Sequence, residues 1–346
     1  TAATLAPALK YAIDNKKKVF FLTSRHTQHT IAIETLKEIK KRYPVDFLAV
    51  DMIGKKWMCT VTGAEKLHSN EFYEYCKRQR ADGLCEQYNN TKSGNKLTTE
   101  AKLSLDALKR ESPCHIERFS EICGRDNLCA YELATLLAKD ATVIVTDYYY
   151  IYHTKIRDSF FNRAQIELSD CIIIADEGHN LPDRIRNLLT AQLSNYMIKR
   201  AINEAKKIES NAVILKLNKI HDILNEMSSG MRDGEERQIT KKEFLDKIDK
   251  IGDYDVIIAD LEMSAQQVRD TEKQTSLGTI ATFLEQWNGE DAGYARILSQ
   301  KQTKRESVVV LSYKCLDPSI STRNVIDNCH STIIMSGTLT PTSMYK

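Results

Sequence analysis

Five apolar residues in a row, Cys171 to Ala175, run without a break into Asp176 and Glu177. A run that short, with no polar alternation, has no face left for water, so it reads as a strand covered on both sides. Parallel strands need crossover connections, and the flanking sequence supplies them. A helix-favouring opening segment precedes the apolar KVFFLTS at 18–24, an amphipathic stretch follows through about Arg42, and a short strand, DFLAV, comes next. After a long interruption the alternation resumes with a helix at ELATLLAKD, a strand at ATVIVTD, the tyrosine-rich YYYIYH and then CIIIAD. The expected fold class is α/β.

Two segments break this rhythm. From about 54 to 130 the chain turns to cysteines, aromatics and charges, with a polar stretch, NNTKSGNKLTTE, that reads as an exposed loop. From about 184 to 300 strands almost vanish and charged, helix-favouring segments take over, among them one opening at Thr240 with Glu243 at capping-box spacing. VVVLSY at 308–313 and STIIMSG at 331–337 then read as strands that complete the first sheet. The expected division is therefore an α/β domain in three parts, 1–53, 131–183 and 301–346, with insertions at 54–130 and 184–300.

In open α/β sheets ligands bind beyond the carboxyl ends of the strands. Asp176 is placed to hold Mg²⁺ there, and Glu177 to orient or deprotonate a water attacking a nucleotide. The alternative is that the two acids N-cap the next helix. The phosphate-cradling string G-x-x-x-x-G-K-[ST] does not occur, but Thr1 followed by AATLAPALKYAI has the character of that loop's last residue and the helix behind it. The chain is thus expected to start mid-domain, with Thr1 at the nucleotide.

The 49 basic and 47 acidic residues leave a net charge of +2, so a nucleic-acid surface has to be a local patch. KKK at 16–18, KRQR at 77–80 and KR at 109–110 are candidates, each also readable as a solvated helix face or loop. No apolar run approaches the roughly 20 residues of a membrane span, and the opening segment carries its positive charge after its apolar part, the reverse of a signal peptide. The reading is intracellular, with no membrane partner. Nine cysteines, an odd number without an export signal, argue against a disulfide framework and for metal ligation. Cys59, Cys76, Cys85, Cys114, Cys123 and Cys129 crowd into one segment, whereas Cys171, Cys315 and Cys329 suit scattered buried thiols. There is no C-x-x-C pair, and intervals of 16, 8 and 43 residues between Cys59, Cys76, Cys85 and Cys129 suit an iron–sulfur cluster better than a zinc ribbon. Cys114 and Cys123 compete with Cys76 and Cys85 for the middle places.

In their order along the chain, LTSRHTQ at 22–28, the cysteine-rich segment, DEGH at 176–179, the helical segment and SGTLTP at 336–341 resemble the XPD family of iron–sulfur, superfamily 2 DNA helicases, the archaeal-like members above all. The resemblance spans essentially the whole chain. It implies a RecA-like P-loop NTPase domain with a mostly parallel sheet, an inserted [4Fe–4S] cluster domain at 54–130 and an inserted all-helical Arch domain at 184–300. It implies ATP and Mg²⁺ as cofactors, with Asp176 as the Mg²⁺ ligand, Glu177 as activator of water and His179 coupling the nucleotide site to DNA. Gly178 stands where the family usually has Ala, an exchange between small residues. Ser24, Arg25 and Thr27 match the motif that contacts the backbone of single-stranded DNA, and Ser336, Gly337 and Thr338 the motif that links hydrolysis to movement. Cys59, after IGKKWM, and Cys129, before Ala130-Tyr131 where the family has Pro-Tyr, match the first and last cluster ligands. A second motor domain with its arginine finger is expected beyond Lys346.

The activity so implied is ATP-dependent 5′ to 3′ unwinding of duplex DNA in nucleotide excision repair or a related damage response. The partners are single-stranded and forked DNA, with repair or transcription factors as further ones, in a prokaryotic cytoplasm or nucleoid or a eukaryotic nucleus. A relative devoted to recombination or replication forks is one alternative, and a non-enzymatic iron–sulfur module that binds nucleic acid is another. Phe72, Tyr73, Tyr75 and Tyr88 interleave with Lys77, Arg78 and Arg80, the mix of stacking faces and phosphate-neutralising charge that a single strand needs. Tyr73 and Arg78 are the contacts expected here, and Tyr149 from the tyrosine run at 148–150. The other reading is that these aromatics pack the interior.

Overall fold

Alternate residues of the apolar runs pack into opposite layers, which is what makes a two-sided sheet out of them. The computed structural model of the chain describes residues 1–341 and 343 apart from 68, 95, 272–274 and 304–305, with the backbone alone at 26, 69–71, 74 and 269–271. In chain order its strands are β1 Lys18–Thr23, β2 Ala49–Asp51, β3 Lys92–Ser93, β4 Lys96–Leu97, β5 Val143–Asp147, β6 Cys171–Ala175, β7 Ala191–Ser194, β8 Glu236–Gln238, β9 Tyr294–Gln302, β10 Ser307–Cys315 and β11 Ser331–Ile334. The chain divides into two compact units, Thr1–Ile185 with Ser319–Lys346, and Arg186–Pro318.

The first unit holds a parallel sheet of order β11-β6-β1-β5-β2. Val19 and Phe21 of β1 share one apolar cluster with Val143, Val145, Ile172 and Ile174, against Leu5, Leu9, Ile33 and Leu36 of the helices Ala2–Asn15 and His26–Arg42. Phe20, between them in sequence, meets Phe160 and Phe161 of the helix Thr154–Ala164, with ring centroids 6.5 Å and 5.5 Å away. Each such buried side chain stabilises the fold by about 1.5–3 kcal/mol, and β6, buried at every position, has no polar face to lose. Between β2 and β5 the insertion forms the helices Ser69–Ala81, Glu86–Thr91, Thr99–Glu111 and Ile116–Arg125. The polar stretch expected to be an exposed loop is instead the end of one helix, the β3–β4 hairpin and the start of another, its turn eased by Gly94 at φ 60°.

The second unit overturns two expectations. VVVLSY does not complete the first sheet: β10 pairs antiparallel with β7 and β9 in a four-stranded sheet of order β7-β10-β9-β8 inside Arg186–Pro318. The unit is therefore not all-helical, and its boundary falls at Pro318 rather than near 300. The strand β9, YARILSQKQ, buries Arg296 and Leu298 while its intervening residues are half-exposed or exposed, the period-two pattern of a half-buried strand masked by its charge. Helices Asn195–Lys207, Asn211–Ser228, Lys241–Ile248, Tyr254–Thr271 and Ser276–Trp287 cover the sheet. Thr240 and Glu243 do form the capping box that their spacing foretells. No described helix of either unit is long and apolar enough to cross a membrane.

Candidate functional site

Because the five strands run the same way, the loops that leave β1, β5, β6 and β11 emerge at one edge of the sheet. Asp176 follows β6 directly, and its backbone N–H donates to the Leu22 carbonyl at 2.8 Å, which extends the ladder by one rung. The chain then turns sharply. Glu177 sits at φ 50°, ψ 44°, a left-handed conformation that a non-glycine residue takes only where its surroundings hold it. Asp176 Oδ1 accepts the Glu177 N–H at 3.0 Å. The Tyr148 hydroxyl, from the end of β5, donates to the carbonyl of Asp176 and lies 3.1 Å from that of Glu177. Gly178 N–H donates to the Met335 carbonyl at 2.9 Å, tying the turn to the end of β11. Glu177 stands at the N-cap position of the short helical turn that follows, but its side chain makes no capping hydrogen bond there.

The Glu177 carboxylate instead faces the loop after β11. Ser336 Oγ donates to Glu177 Oε2 at 3.1 Å, His179 Nδ1 lies 2.7 Å from Ser336 Oγ and 3.2 Å from that same Oε2. With its own proton given to Glu177, the Ser336 hydroxyl accepts from His179, which calls for a proton on Nδ1. It also accepts the Thr338 N–H at 3.2 Å. Two motifs about 160 residues apart thus close into one hydrogen-bonded ring. Gly337, between Ser336 and Thr338, is exposed.

Asp176 is half-buried, and burial raises its pKa above the usual carboxylate value; the Glu177 N–H opposes the rise and the Glu177 charge adds to it. The helix Ala2–Asn15, with Thr1 at its N-cap, begins at the same edge, where Thr4 Oγ1 meets Met335 Sδ at 3.2 Å. Ser24, half-buried, and Arg25 and Thr27, exposed, leave the neighbouring strand β1 at this edge, Ser24 Oγ donating to Gln28 Oε1 at 3.2 Å. The tyrosine run turns inward. Tyr148 and Tyr150 are buried, Tyr150 donating to the Ile53 carbonyl at 3.0 Å, so neither ring is open to a base; Tyr149 is half-buried.

In the insertion, Cys59, Cys76, Cys85 and Cys129 line one small cavity together with Lys55, Phe72, Arg80, Tyr88 and Tyr131. Cys85 and Cys129 are the N-cap residues of Glu86–Thr91 and Ala130–Asp140, and Cys76 lies within Ser69–Ala81. All four are free thiols. Burial pushes Cys129 up to about 12 and raises Cys59. The thiols share a cavity without being drawn to ligand spacing: among the described residues no group of three or more His, Cys, Asp or Glu side chains stands close enough to hold a metal ion. Cys114 and Cys123 are buried beside and within the helix Ile116–Arg125 and are not among the residues lining the cavity. The donor set nonetheless has the chemistry for a cluster, four sulfurs flanked by Lys55 and Arg80. Of the aromatics, Phe72 faces the cavity while Tyr73 is 62% exposed, as is much of Arg78, which pairs with Asp82 at 3.5 Å. Arg80, expected among the outward charges, points in and lies 4.1 Å from the Tyr88 ring centroid. Trp57, exposed beside Cys59 with the Lys56 ammonium 4.3 Å from its ring, carries the same stacking chemistry and was not singled out by the sequence.

The sequence gives no hint of Glu132 either. Its carboxylate is buried between Lys92 at 2.9 Å, Arg163 at 2.7 Å and Arg80 at 3.8 Å. Burial alone would raise its pKa, but Arg163, Lys92 and Arg80 outweigh it and hold the group below its ordinary value. A second buried pair joins His29 Nδ1 to Asp51 Oδ1 at 2.5 Å, and Asp51 Oδ2 accepts the Ile116 N–H at 3.0 Å.

Comparison with known proteins adds relatives to this geometry. The DEAD_2 family profile matches residues 21–198. The "General transcription and DNA repair factor IIH helicase subunit XPD/RAD3" of Saccharomyces cerevisiae is 21% identical, over 91% of this chain and 50% of that protein. The "ATP-dependent DNA helicase XPD" of Sulfolobus acidocaldarius is 25% identical, over 63% of this chain and 34% of that one. The "Regulator of telomere elongation helicase 1 homolog" of Caenorhabditis briggsae is 24% identical, over 55% of this chain and 18% of that protein. The chain thus spans half or less of the length of these relatives. Two solved structures share the fold: "XPD_Helicase", with a TM-score of 0.62 at 20% identity over 98% of this chain and 54% of that one, and "Truncated XPD", with 0.61 at 19% over 99% and 88%.

Proposed function

The chain belongs to the DEAD_2 family, and from that premise we propose that it forms the first motor domain of an ATP-dependent DNA helicase. The observation that carries the proposal is the ring of Glu177, Ser336 and His179, which joins the acid motif to the motif after β11. A hydrolytic site needs a carboxylate that can take a proton from water and a means of passing its state onward, and a carboxylate hydrogen-bonded to the loop after β11 supports that reading. Asp176, half-buried and raised in pKa by its burial, is the acid that Mg²⁺ suits, since a cation restores the charged form that burial disfavours. Thr1 and the first turn of Ala2–Asn15 stand where phosphates are attracted to a helix N-terminus. Glu177, held in its left-handed turn, takes the proton of the attacking water. His179 and Ser336 report its protonation to the loop that carries Gly337 and Thr338.

We read the four-thiol cavity as a [4Fe–4S] site held by Cys59, Cys76, Cys85 and Cys129. When bound, such a group supplies metal–sulfur bonds that fix the segments carrying the thiols. Tyr73, Arg78 and Trp57 then offer stacking and charge to a single strand, and Ser24, Arg25 and Thr27 offer it backbone contacts, with Tyr149 a half-buried candidate at the same edge. The second unit, 186–318, corresponds in this reading to the Arch. Unwinding of 5′ to 3′ polarity on forked DNA, a role in excision repair or a related damage response, and a place in the cytoplasm or nucleoid belong to the same proposal.

The test is Glu177→Gln in the full-length protein. DNA-stimulated ATP hydrolysis should fall by about 10²-fold or more, the range expected on losing a general base, while DNA affinity stays within about twofold. Turnover retained by the variant rejects the assignment.

A further inference from the structure

We propose that Glu132 is a positioning residue for the four-thiol cavity, holding Arg80 against the thiols and fastening the cavity to the sheet-bearing core through Arg163; this rests on the reading of that cavity as an iron–sulfur site. Glu132 lies one turn past Cys129 on the helix Ala130–Asp140, with a side chain 1% exposed. Three cations from three segments converge on it: Arg80 of the helix Ser69–Ala81, Lys92 of β3 and Arg163 of the helix Thr154–Ala164. The first two belong to the insertion and the third to the core.

Both arginines also touch rings that line the cavity. The Arg80 guanidinium is 4.1 Å from the Tyr88 ring centroid, and Arg163 is 5.3 Å from that of Tyr131, which Lys55 approaches from the cavity side at 5.2 Å. One carboxylate against three cations leaves an excess of positive charge beside the thiols. The three cations keep 30%, 22% and 31% of their side chains exposed, so water screens part of that excess, and four thiolates holding a cluster would supply a counter-charge on the cavity side of Arg80. Glu132 Oε1 and Arg80 Nε are both buried without a hydrogen bond among the described residues. Arg80 is therefore paired with Glu132 by charge at 3.8 Å but not locked to it, and its guanidinium serves the carboxylate and the cavity together.

The experiment uses the full-length protein purified without oxygen, with iron content, the rate of iron loss to a ferrous chelator and the cluster's midpoint potential as readouts. Glu132→Gln should speed iron loss by about tenfold or more, as loss of a residue supporting metal ligands does, and raise the potential, because an anion has been removed and three cations are left unbalanced. Arg80→Gln should lower the potential, and the double variant should depart from the sum of the two. A Glu132→Gln protein that matches the wild type in all three readouts overturns the proposal, and so does a lower iron content at an unchanged potential, the result of a purely packing role. If Glu132→Gln yields no soluble protein, Arg163→Gln, at a side chain 31% exposed, tests the tie to the core: faster iron loss supports it and an unchanged rate overturns it. Wild-type protein without iron rejects the cavity reading itself, before any variant is made.

Discussion

The left-handed turn at Glu177 is where single residues decide most. Its conformation costs the chain of order 1–3 kcal/mol, and Tyr148 is among the groups that hold it, donating its hydroxyl proton to the backbone of the two acids. Burial raises the Tyr148 pKa, so the phenol remains a donor across the working pH range. Tyr148→Phe keeps the buried ring and deletes the donor. We expect kcat for ATP hydrolysis in the full-length protein to fall about 10- to 100-fold, the size of effect a small misplacement of a catalytic group produces, with KM for ATP within about threefold. Steady-state kinetics with saturating DNA decide this, and an unchanged kcat shows that the turn holds without the phenol. Tyr148 was legible as an aromatic at a strand end. Its inward direction was not, because three consecutive tyrosines at 148–150 read alike until the backbone sends Tyr148 and Tyr150 one way and Tyr149 another.

At the scale of elements, the ends of β6 and β11 approach more closely than an alanine permits. Ile334 pairs with Ala175 in register, Met335 N–H donates to the Ala175 carbonyl, and the Gly178 N–H returns to Met335. A Cβ built on Gly178 would lie 2.2 Å from Ile334 Cγ2. Exchanging Gly for Ala, neutral when judged by size alone, therefore forces Ile334 to move. Gly178→Ala should destabilise the protein by about 1–3 kcal/mol, as overpacking does, and Ile334→Ala should relieve most of that penalty. In urea titrations the double variant should be less destabilised than the sum of the two single ones. Additive costs would show that the strand ends part freely. The glycine and the isoleucine are matched to each other, a relation between distant positions that no local pattern carries.

For the whole molecule the main fact is the division at Arg186 and Pro318. The second unit has its own core, with Phe244, Phe283 and Trp287 in ring contact, and its own sheet. Two of its buried charged side chains, Glu204 and Arg296, find hydrogen-bond partners within the unit. Glu204 accepts the N–H groups of Ser276 and Leu277 at the start of the helix Ser276–Trp287, and Arg296 donates to the carbonyls of Trp287 and Gly289. Its first and last segments also meet, Arg186 Nε lying 3.4 Å from the Leu316 carbonyl. A fragment of residues 186–318 should therefore fold alone and unfold in one cooperative step, followed by circular dichroism and tryptophan fluorescence through the Trp287 in its core. A broad, non-cooperative transition would mean that this unit depends on the other.

By itself the sequence marked KVFFLT, VIVTD, CIIIA and STII as strands, because short runs without polar alternation leave no face for water, and it determined where the acids fall relative to them. It also marked the cysteines as a local set and Thr240 with Glu243 as a cap, since both are matters of spacing along the chain. Tertiary structure alone decided that β10 joins β9 and β7 rather than the first sheet, because an apolar strand is compatible with any partner whose edge is open. It alone decided that Cys59, Cys76, Cys85 and Cys129 share a cavity from which Cys114 and Cys123 are absent. It alone made Glu132 a buried hub rather than one more acid in a helix's first turn. A charge looks the same in sequence whether water or three cations surround it, and which of these it meets is set by contacts between residues far apart along the chain.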